Sequence, residues 1–281
     1  MATAVLRAQL EEALRTRFAA PVAVPATRLG DRPAAETLAT GIAALDALCG
    51  GLPRGALSEI AGGESSGRTS LLLSVLAQAR AGYSALIDAN DSFDPRGAEV
   101  AGVELERLLW VRCSLQLSRS RQPSVSSRQP KRDPAYARLE QAMRATDFLL
   151  QAGGFGLLVL DLADLPADVA RRVPLTSWFR FRRAVEHTPT VLLVLEAEAH
   201  AKTCASLVLE MKQSAVSVQS SASRQSPVTS RQDQETGNRK LEIPSHTRLL
   251  ESVSVEVELL RSAQRKPMRT AFTLVGERRV G

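Results

Sequence analysis

The chain has 281 residues, 44% hydrophobic and 23% charged, enough for one large core or a core with an appendage. Its net charge of +6 is carried almost wholly by arginine, since Lys131, Lys202, Lys212, Lys240 and Lys266 are the only lysines. That balance permits contact with nucleic acid and fits an arginine-for-lysine coding bias equally well. Cys49, Cys113 and Cys204 stand apart with no C-x-x-C pair, which argues against a disulfide framework or a zinc site. Arg7, Glu11 and Glu12 interrupt any apolar leader, and no run approaches 18 apolar residues, so a cytoplasmic protein without a membrane segment is expected.

In chain order, Leu6, Leu10, Leu14 and Phe18 recur every four residues and predict an amphipathic helix over 3–18. It reads as a helix packed on its own domain or as a strap for a partner. The Pro- and Gly-bearing tether from Ala19 to Pro33 favours the strap, so 1–39 is set apart from a core at 40–281. Leu57–Ala61 reads as a strand, and Thr69–Arg80 as a helix with Leu71, Leu72, Val75, Leu76 and Ala79 facing a core. Ser84–Asp88, Gly156–Asp161 and Val191–Leu195 are short apolar runs of the kind buried in parallel sheets. Helices over Tyr136–Gln151 and Leu175–His187 precede the last two. The alternation predicts an α/β fold with a doubly wound, mainly parallel sheet. Beyond Ala205, Ser206–Met211, Val253–Leu260 and Thr270–Val275 read as an antiparallel extension. Residues 118–133 and 213–240 share a Ser/Arg/Gln/Pro-rich composition and resemble each other, which predicts two flexible insertions.

Chemistry concentrates at residues 62–69, Gly-Gly-Glu-Ser-Ser-Gly-Arg-Thr. The pattern G-x-x-x-x-G-K-[ST] is met at Gly62, Gly67 and Thr69 and missed at Arg68. Glycines let backbone N–H groups close on phosphate oxygens, and the following helix turns its positive end to the same anion. Gly62, Gly63, Glu64, Ser65, Ser66, Gly67, Arg68, Thr69 and Ser70 are therefore the expected phosphate cradle, with the Thr69 hydroxyl as the metal ligand that the motif supplies. Arginine is a longer planar fork than lysine and is no equivalent replacement. Asp88 and Asp94 are read as structural. Trp178, Phe179 and Phe181 beside Arg180, Arg182 and Arg183 read first as a crossover helix with buried aromatics, and second as a stacking surface for single-stranded DNA. His187, His200 and His246 are too scattered to suggest a metal or a triad.

Several blocks in order resemble the RecA recombinase superfamily. Thr40-Gly41-Ile42 with Leu45-Asp46, then Gly50 to Gly55, looks like the stretch before its phosphate loop. Gly62 to Gly67 is close to G-P-E-S-S-G, and Leu86-Ile87-Asp88-Ala89-Asn90 with Phe93-Asp94-Pro95 parallels F-I-D-A-E…L-D-P. Leu157 to Asp161 fits the Walker B strand, and the resemblance implies that Asp161 holds a metal through water, together with Thr69. The resemblance implies a RecA-like P-loop core with ATP and magnesium as possible ligands. It also locates departures. The catalytic glutamate of the family aligns with Asn90, which can hold a water but cannot take its proton, and such a base is typically worth ~10²–10⁴ in rate. The adenine-stacking aromatic aligns with Gly97, and the polar sensor of the third strand falls near Glu196-Ala197. The two interface lysines align with Arg261 and Ala263. Space for the family's DNA-contacting loops is reduced to Asp164–Pro174, with Arg171 and Arg172, and to the short stretch before Ser206. No C-terminal domain is expected after the core.

The resemblance is closest to the ImuA group of mutasome accessory proteins. It implies a role in SOS-induced mutagenesis and translesion synthesis, with no catalytic residue and little or no ATP hydrolysis. The implied partners are a Y-family-like polymerase subunit and an error-prone replicative polymerase, with RecA and single-stranded DNA as further candidates. Two alternatives stand: an active ATP-dependent recombinase or repair ATPase in which Asp91 replaces the missing base, and an SOS cell-division inhibitor.

Overall fold

The fold is given by a computed structural model that describes residues 36–113, 133–217, 252–262 and 266–275. The helix expected over 3–18, its tether and most of the two insertions lie outside these residues. So do Lys131, Lys240, His246 and Ala263.

The described chain opens with a small clasp. Strands β1 (Thr37–Leu38) and β2 (Leu52–Pro53) pair antiparallel on either side of α1 (Ala43–Cys49). Asp46 ties the clasp together: one carboxylate oxygen accepts the Thr40 N–H at 2.7 Å and the Thr40 hydroxyl at 2.9 Å. That pairing is the physical content of the Thr40…Asp46 block.

The chain then alternates strand and helix. In order come β3 (Ala56–Gly62), α2 (Arg68–Gln78), β4 (Tyr83–Asp88), α3 (Pro95–Val100), β5 (Leu108–Arg112), α4 (Pro134–Ala152), β6 (Phe155–Asp161), α5 (Ala167–Ala170), α6 (Leu175–Val185) and β7 (Val191–Glu196). Three longer strands follow, β8 (Leu207–Ser217), β9 (Ser252–Ser262) and β10 (Met268–Val275). All eight strands from β3 onward form one sheet in the order β10-β9-β8-β3-β7-β6-β4-β5. Pairing is parallel from β8 across to β5 and antiparallel for β8–β9 and β9–β10. This is the expected mixed α/β architecture with a mainly parallel sheet.

Period-two alternation explains how one apolar strand builds two cores. In β6, Leu157 and Val159 join a layer with Leu71, Leu72, Val75 and Leu76 of α2. Leu158 and Leu160 point the other way, into a layer with Leu139 of α4 and Trp178 and Phe181 of α6. Helices on both faces are what a parallel sheet requires, because its strands must be buried on both sides. The result sets the C-terminal ends of β3, β4, β6 and β7 along one edge, where the loops of interest leave the sheet.

Three differences from the sequence reading have local causes. Strand β5 was not expected; Leu108–Arg112 pairs parallel with Ser84–Asp88 as the edge strand. β8 runs to Ser217 rather than ending near Met211, because β9 supplies a partner as far as Ser252, so residues 213–217 of the expected insertion are strand. α6 stops at Val185, since Glu186 turns to ψ 133° and His187 sits at φ 66°, outside helical space. Asp88 and Asp94 are structural, as expected. Asp94 caps α3 by accepting the Arg96 and Gly97 N–H groups, each at 3.0 Å. Cys49, Cys113 and Cys204 are buried thiols. Among the described residues no helix is long and apolar enough to cross a membrane.

Candidate functional site

The loop between β3 and α2 lies at the centre of the sheet, with β7 and β8 flanking β3. Gly62 ends the strand where no side chain fits: a Cβ there would lie 2.6 Å from Ser66 Oγ and 2.7 Å from the Met211 carbonyl oxygen. Gly63 is open space by comparison, with nothing within 4 Å of an added Cβ. Ser65 and Gly67 take left-handed backbone, at φ 58° and 87°, which curls the loop into a cup before α2 begins. Gly67 is the N-cap of α2 and brings no side-chain acceptor, and the first turn holds no acidic residue. The first N–H groups of that helix therefore meet an anion without internal competition. Inside the cup the Ser66 hydroxyl is buried, at 2% residue exposure, and has no hydrogen-bond partner.

Arg68 leaves the cup. Its guanidinium is buried, donates to the Ala163 carbonyl at 3.1 Å and pairs with an Asp164 carboxylate oxygen at 3.5 Å. Both partners sit on the turn after β6, so Arg68 bridges the phosphate loop to the strand that ends in Asp161. Asp161 in turn accepts the Ala163 N–H at 3.0 Å. Burial pushes its carboxyl up to about 6, and Asp88 and Asp164 add to the rise, while the Ala163 N–H and the Arg68 charge oppose it. Thr69 and Ser70 are exposed on the first turn of α2, two strands away in sheet order from β6. A magnesium ion asks for several uncommitted oxygens in near-octahedral geometry. Here the Ala163 carbonyl, an Asp164 oxygen and an Asp161 oxygen already serve internal donors, with a guanidinium among them. The cradle fits a phosphate; the residues beyond it do not fit the metal.

The loop after β4 carries Asn90, the residue that the resemblance aligns with a catalytic glutamate. Asp88 accepts from the Asn90, Ser92 and Phe93 N–H groups at 3.1, 3.2 and 2.9 Å and from Trp110 Nε1 at 3.2 Å. Asn90 thus sits in a loop wound around a structural carboxylate. The neighbouring Asp91 is held in a two-toothed ion pair with Arg112, at 2.6 and 2.7 Å, and that bond pulls its carboxyl below the usual range. It is a poor substitute base. Gly97 is explained by the cap of α3, because a Cβ there would meet Asp94 Oδ2 at 2.9 Å.

The strand ends at β3 and β7 carry a cluster that the sequence reading did not assemble. Glu59 and Glu196 are both fully buried in adjacent strands. Glu59 accepts the His200 and Ala201 N–H groups, and Glu196 bonds the His200 ring at 2.8 Å. One oxygen of each carboxyl has no partner. Burial, with the Glu59 charge adding to it, pushes Glu196 up to about 7, against the His200 bond; the same bond raises His200 above its ordinary value. The signal was legible as single glutamates in otherwise apolar strands, Leu-Ser-Glu-Ile and Val-Leu-Glu.

This cluster fastens the connection from β7 to β8. Arg171 pairs with Glu198 at 2.6 Å, Arg182 donates to the Thr203 carbonyl and Arg261 to the Lys202 carbonyl. Arg171, one of the two arginines of the first candidate DNA loop, is thereby committed, and Arg172 pairs with Asp168 at 3.6 Å. On α6, Trp178 and Phe181 are buried edge to face, and only Phe179 of the three aromatics is exposed. The crossover-helix reading holds for the first two.

The family model of the RecA N-terminal domain matches residues 22–114, which include the phosphate loop, β4 and β5. The RecA protein of Methylococcus capsulatus is 38% identical over 141 residues, covering 48% of this chain and 34% of that protein. Those of Rubrobacter xylanophilus and Francisella tularensis subsp. novicida are 36% and 34% identical over similar lengths. Residues 22–114 are therefore similar to the RecA N-terminal domain, within a mixed α/β core whose sheet is mainly parallel. The chain spans about a third of the length of the curated relatives it matches. Around the cup of the phosphate loop, the polar groups are taken up by internal partners.

Proposed function

We propose that the chain is a RecA-like accessory protein of DNA repair and induced mutagenesis, acting through protein contacts with slow or no ATP hydrolysis. One observation carries the reading: the guanidinium of Arg68, at the lysine position of the phosphate loop, rests on the Ala163 carbonyl and Asp164, in the turn where a hydrolytic site would need its metal. Asn90 in place of a base, the Asp91–Arg112 pair and the fastened β7–β8 connection point the same way. Hydrolysis needs a general base and a polarising cation at the terminal phosphate, and strand exchange needs loops that can move onto DNA. Each requirement meets an internal contact instead.

In this reading Gly62 to Ser70 cradles phosphate and the shell serves as a platform. Its proposed partners are a Y-family-like polymerase subunit and an error-prone replicative polymerase in translesion synthesis, with RecA or single-stranded DNA as secondary contacts, in the cytoplasm. A tagged chain recovered from DNA-damaged cells is expected to bring down a polymerase subunit, and the pair is expected to re-form from purified components. Recovery and reconstitution of a cytoskeletal cell-division GTPase instead would favour the inhibitor reading and contradict this one. A second reading, an active repair ATPase, draws on the likeness to RecA proteins. It requires Asp91 to leave Arg112.

A further inference from the structure

The phosphate loop and the turn after β6 share one cation. A guanidinium carries a permanent charge, and that of Arg68, at 9% side-chain exposure, rests on two oxygens of the Ala163–Asp164 turn. Its carboxylate partner is the weaker half of that arrangement, 51% exposed and 3.5 Å away. The Ala163 carbonyl bond, at 3.1 Å, is the firmer anchor. Asp164 thus presents an internal anion to one side of a planar fork whose geometry also matches phosphate oxygens. Arg68 is also the first residue of α2, next to the cup in which the Ser66 hydroxyl is buried without a partner beside Gly62 and the helix N-terminus meets no side-chain acceptor. A divalent ion placed at Asp161 would have to enter against this fixed positive charge and strip oxygens already in use.

We infer that the loop binds a nucleoside di- or triphosphate as the metal-free anion, with Arg68 swinging from Asp164 to the phosphates and standing in for the divalent cation. This rests on the reading of the chain as a non-hydrolysing shell, and goes further by naming the ionic form of the ligand. The arrangement is a built-in exchange: the ligand displaces Asp164 from Arg68, so Asp164 acts as a weak internal competitor.

The test uses the full chain and a fluorescent ADP derivative followed by anisotropy. Affinity is expected to be highest in buffer with EDTA and to fall by about threefold or more in excess magnesium, because magnesium complexes the diphosphate in solution and withdraws the form the loop takes. Asp164→Asn removes the competitor while leaving a half-exposed surface position, and is expected to tighten binding about two- to fivefold, the range such an ion pair is worth. Arg68→Lys is expected to weaken it, since a lysine point charge cannot hold the Ala163 carbonyl and the phosphates as a fork does. Inorganic phosphate in excess separates capture of the nucleotide from capture of any anion: displacement only at concentrations far above the nucleotide's own supports the inference. A magnesium requirement of about tenfold or more overturns it. So does an Asp164→Asn variant that binds no better than the parent, or the absence of nucleotide binding in either buffer. Those results leave the accessory role standing, because that role is judged by partner recovery and turnover.

Discussion

Two sets of carboxylates lie along the same edge of the sheet, and their chemistry differs because their donors differ. Asp88, at the end of β4, is enclosed by four donors, three from the loop that follows it and one from Trp110 on β5. Glu196 and Glu59, at β7 and β3, are buried side by side with two backbone donors and one imidazole between them, and each is left with an orphan oxygen. A buried carboxyl with several N–H partners organises a loop around itself, whereas Glu196, with one imidazole for a partner, is pushed up to about 7 by burial. The phosphate loop stands between these two solutions and uses a third, the buried arginine.

Removing the well-satisfied acceptor is expected to do the most damage. Asp88→Ala leaves three loop N–H groups and the Trp110 ring N–H without their acceptor, and is expected to cost about 3 kcal/mol or more in denaturant unfolding. Asp88→Asn retains one acceptor and should lose less. Were the two equal, the donor-counting explanation would fail.

The opposite behaviour is expected at Glu196. Its folded pKa, about 7, lies above the ordinary 4.5, so its contribution to stability is complete below about pH 4.5 and is lost as pH rises through 7. The full swing is on the order of 3 kcal/mol. Stability measured from pH 4.5 to 7.5 should therefore fall with pH by this route, and Glu196→Gln should flatten the fall and stabilise the fold at pH 8. His200, raised chiefly by its bond to Glu196, extends the same slope upward from pH 6.5 and should lose that extension in the variant. An unchanged slope in Glu196→Gln would place the titration elsewhere.

Asp161 gives a smaller effect of the same sign. Its carboxyl is raised to about 6 from 3.8, so stability is lost between those values, and Asp161→Asn should remove that segment of the profile, on the order of 3 kcal/mol and slightly less than for Glu196, while keeping the Ala163 N–H bond. The smallest change is expected at Asp91→Asn. It weakens an exposed ion pair worth about 1 kcal/mol or less, and asparagine tolerates the φ of 60° found there.

The fold was largely legible because buried parallel strands write themselves as apolar runs. Leu157–Asp161 and Val191–Leu195 need no partner to be recognised. Strand β5 was missed because Leu108–Arg112 is only five residues long, at the edge, with Leu109 half-exposed. The end of β8 was missed because its last five residues are polar or small and are held by β9 across a long separation. The loop from Gly62 to Thr69 was legible as a motif, yet its electrostatic partner was not. Arg68 meets Ala163 across 95 residues, and Glu59 meets His200 across 141. Local patterns carry no trace of such pairings. The substitutions at Asn90 and Gly97 were visible in sequence; that Gly97 is demanded by the Asp94 cap emerged only from the packing.

Phosphate release from ATP by the full chain, measured with and without single-stranded DNA, tests the central claim most directly. The account predicts slow or no turnover above a protein-free control and no stimulation by DNA. DNA-stimulated release that Asp161→Ala abolishes would contradict it.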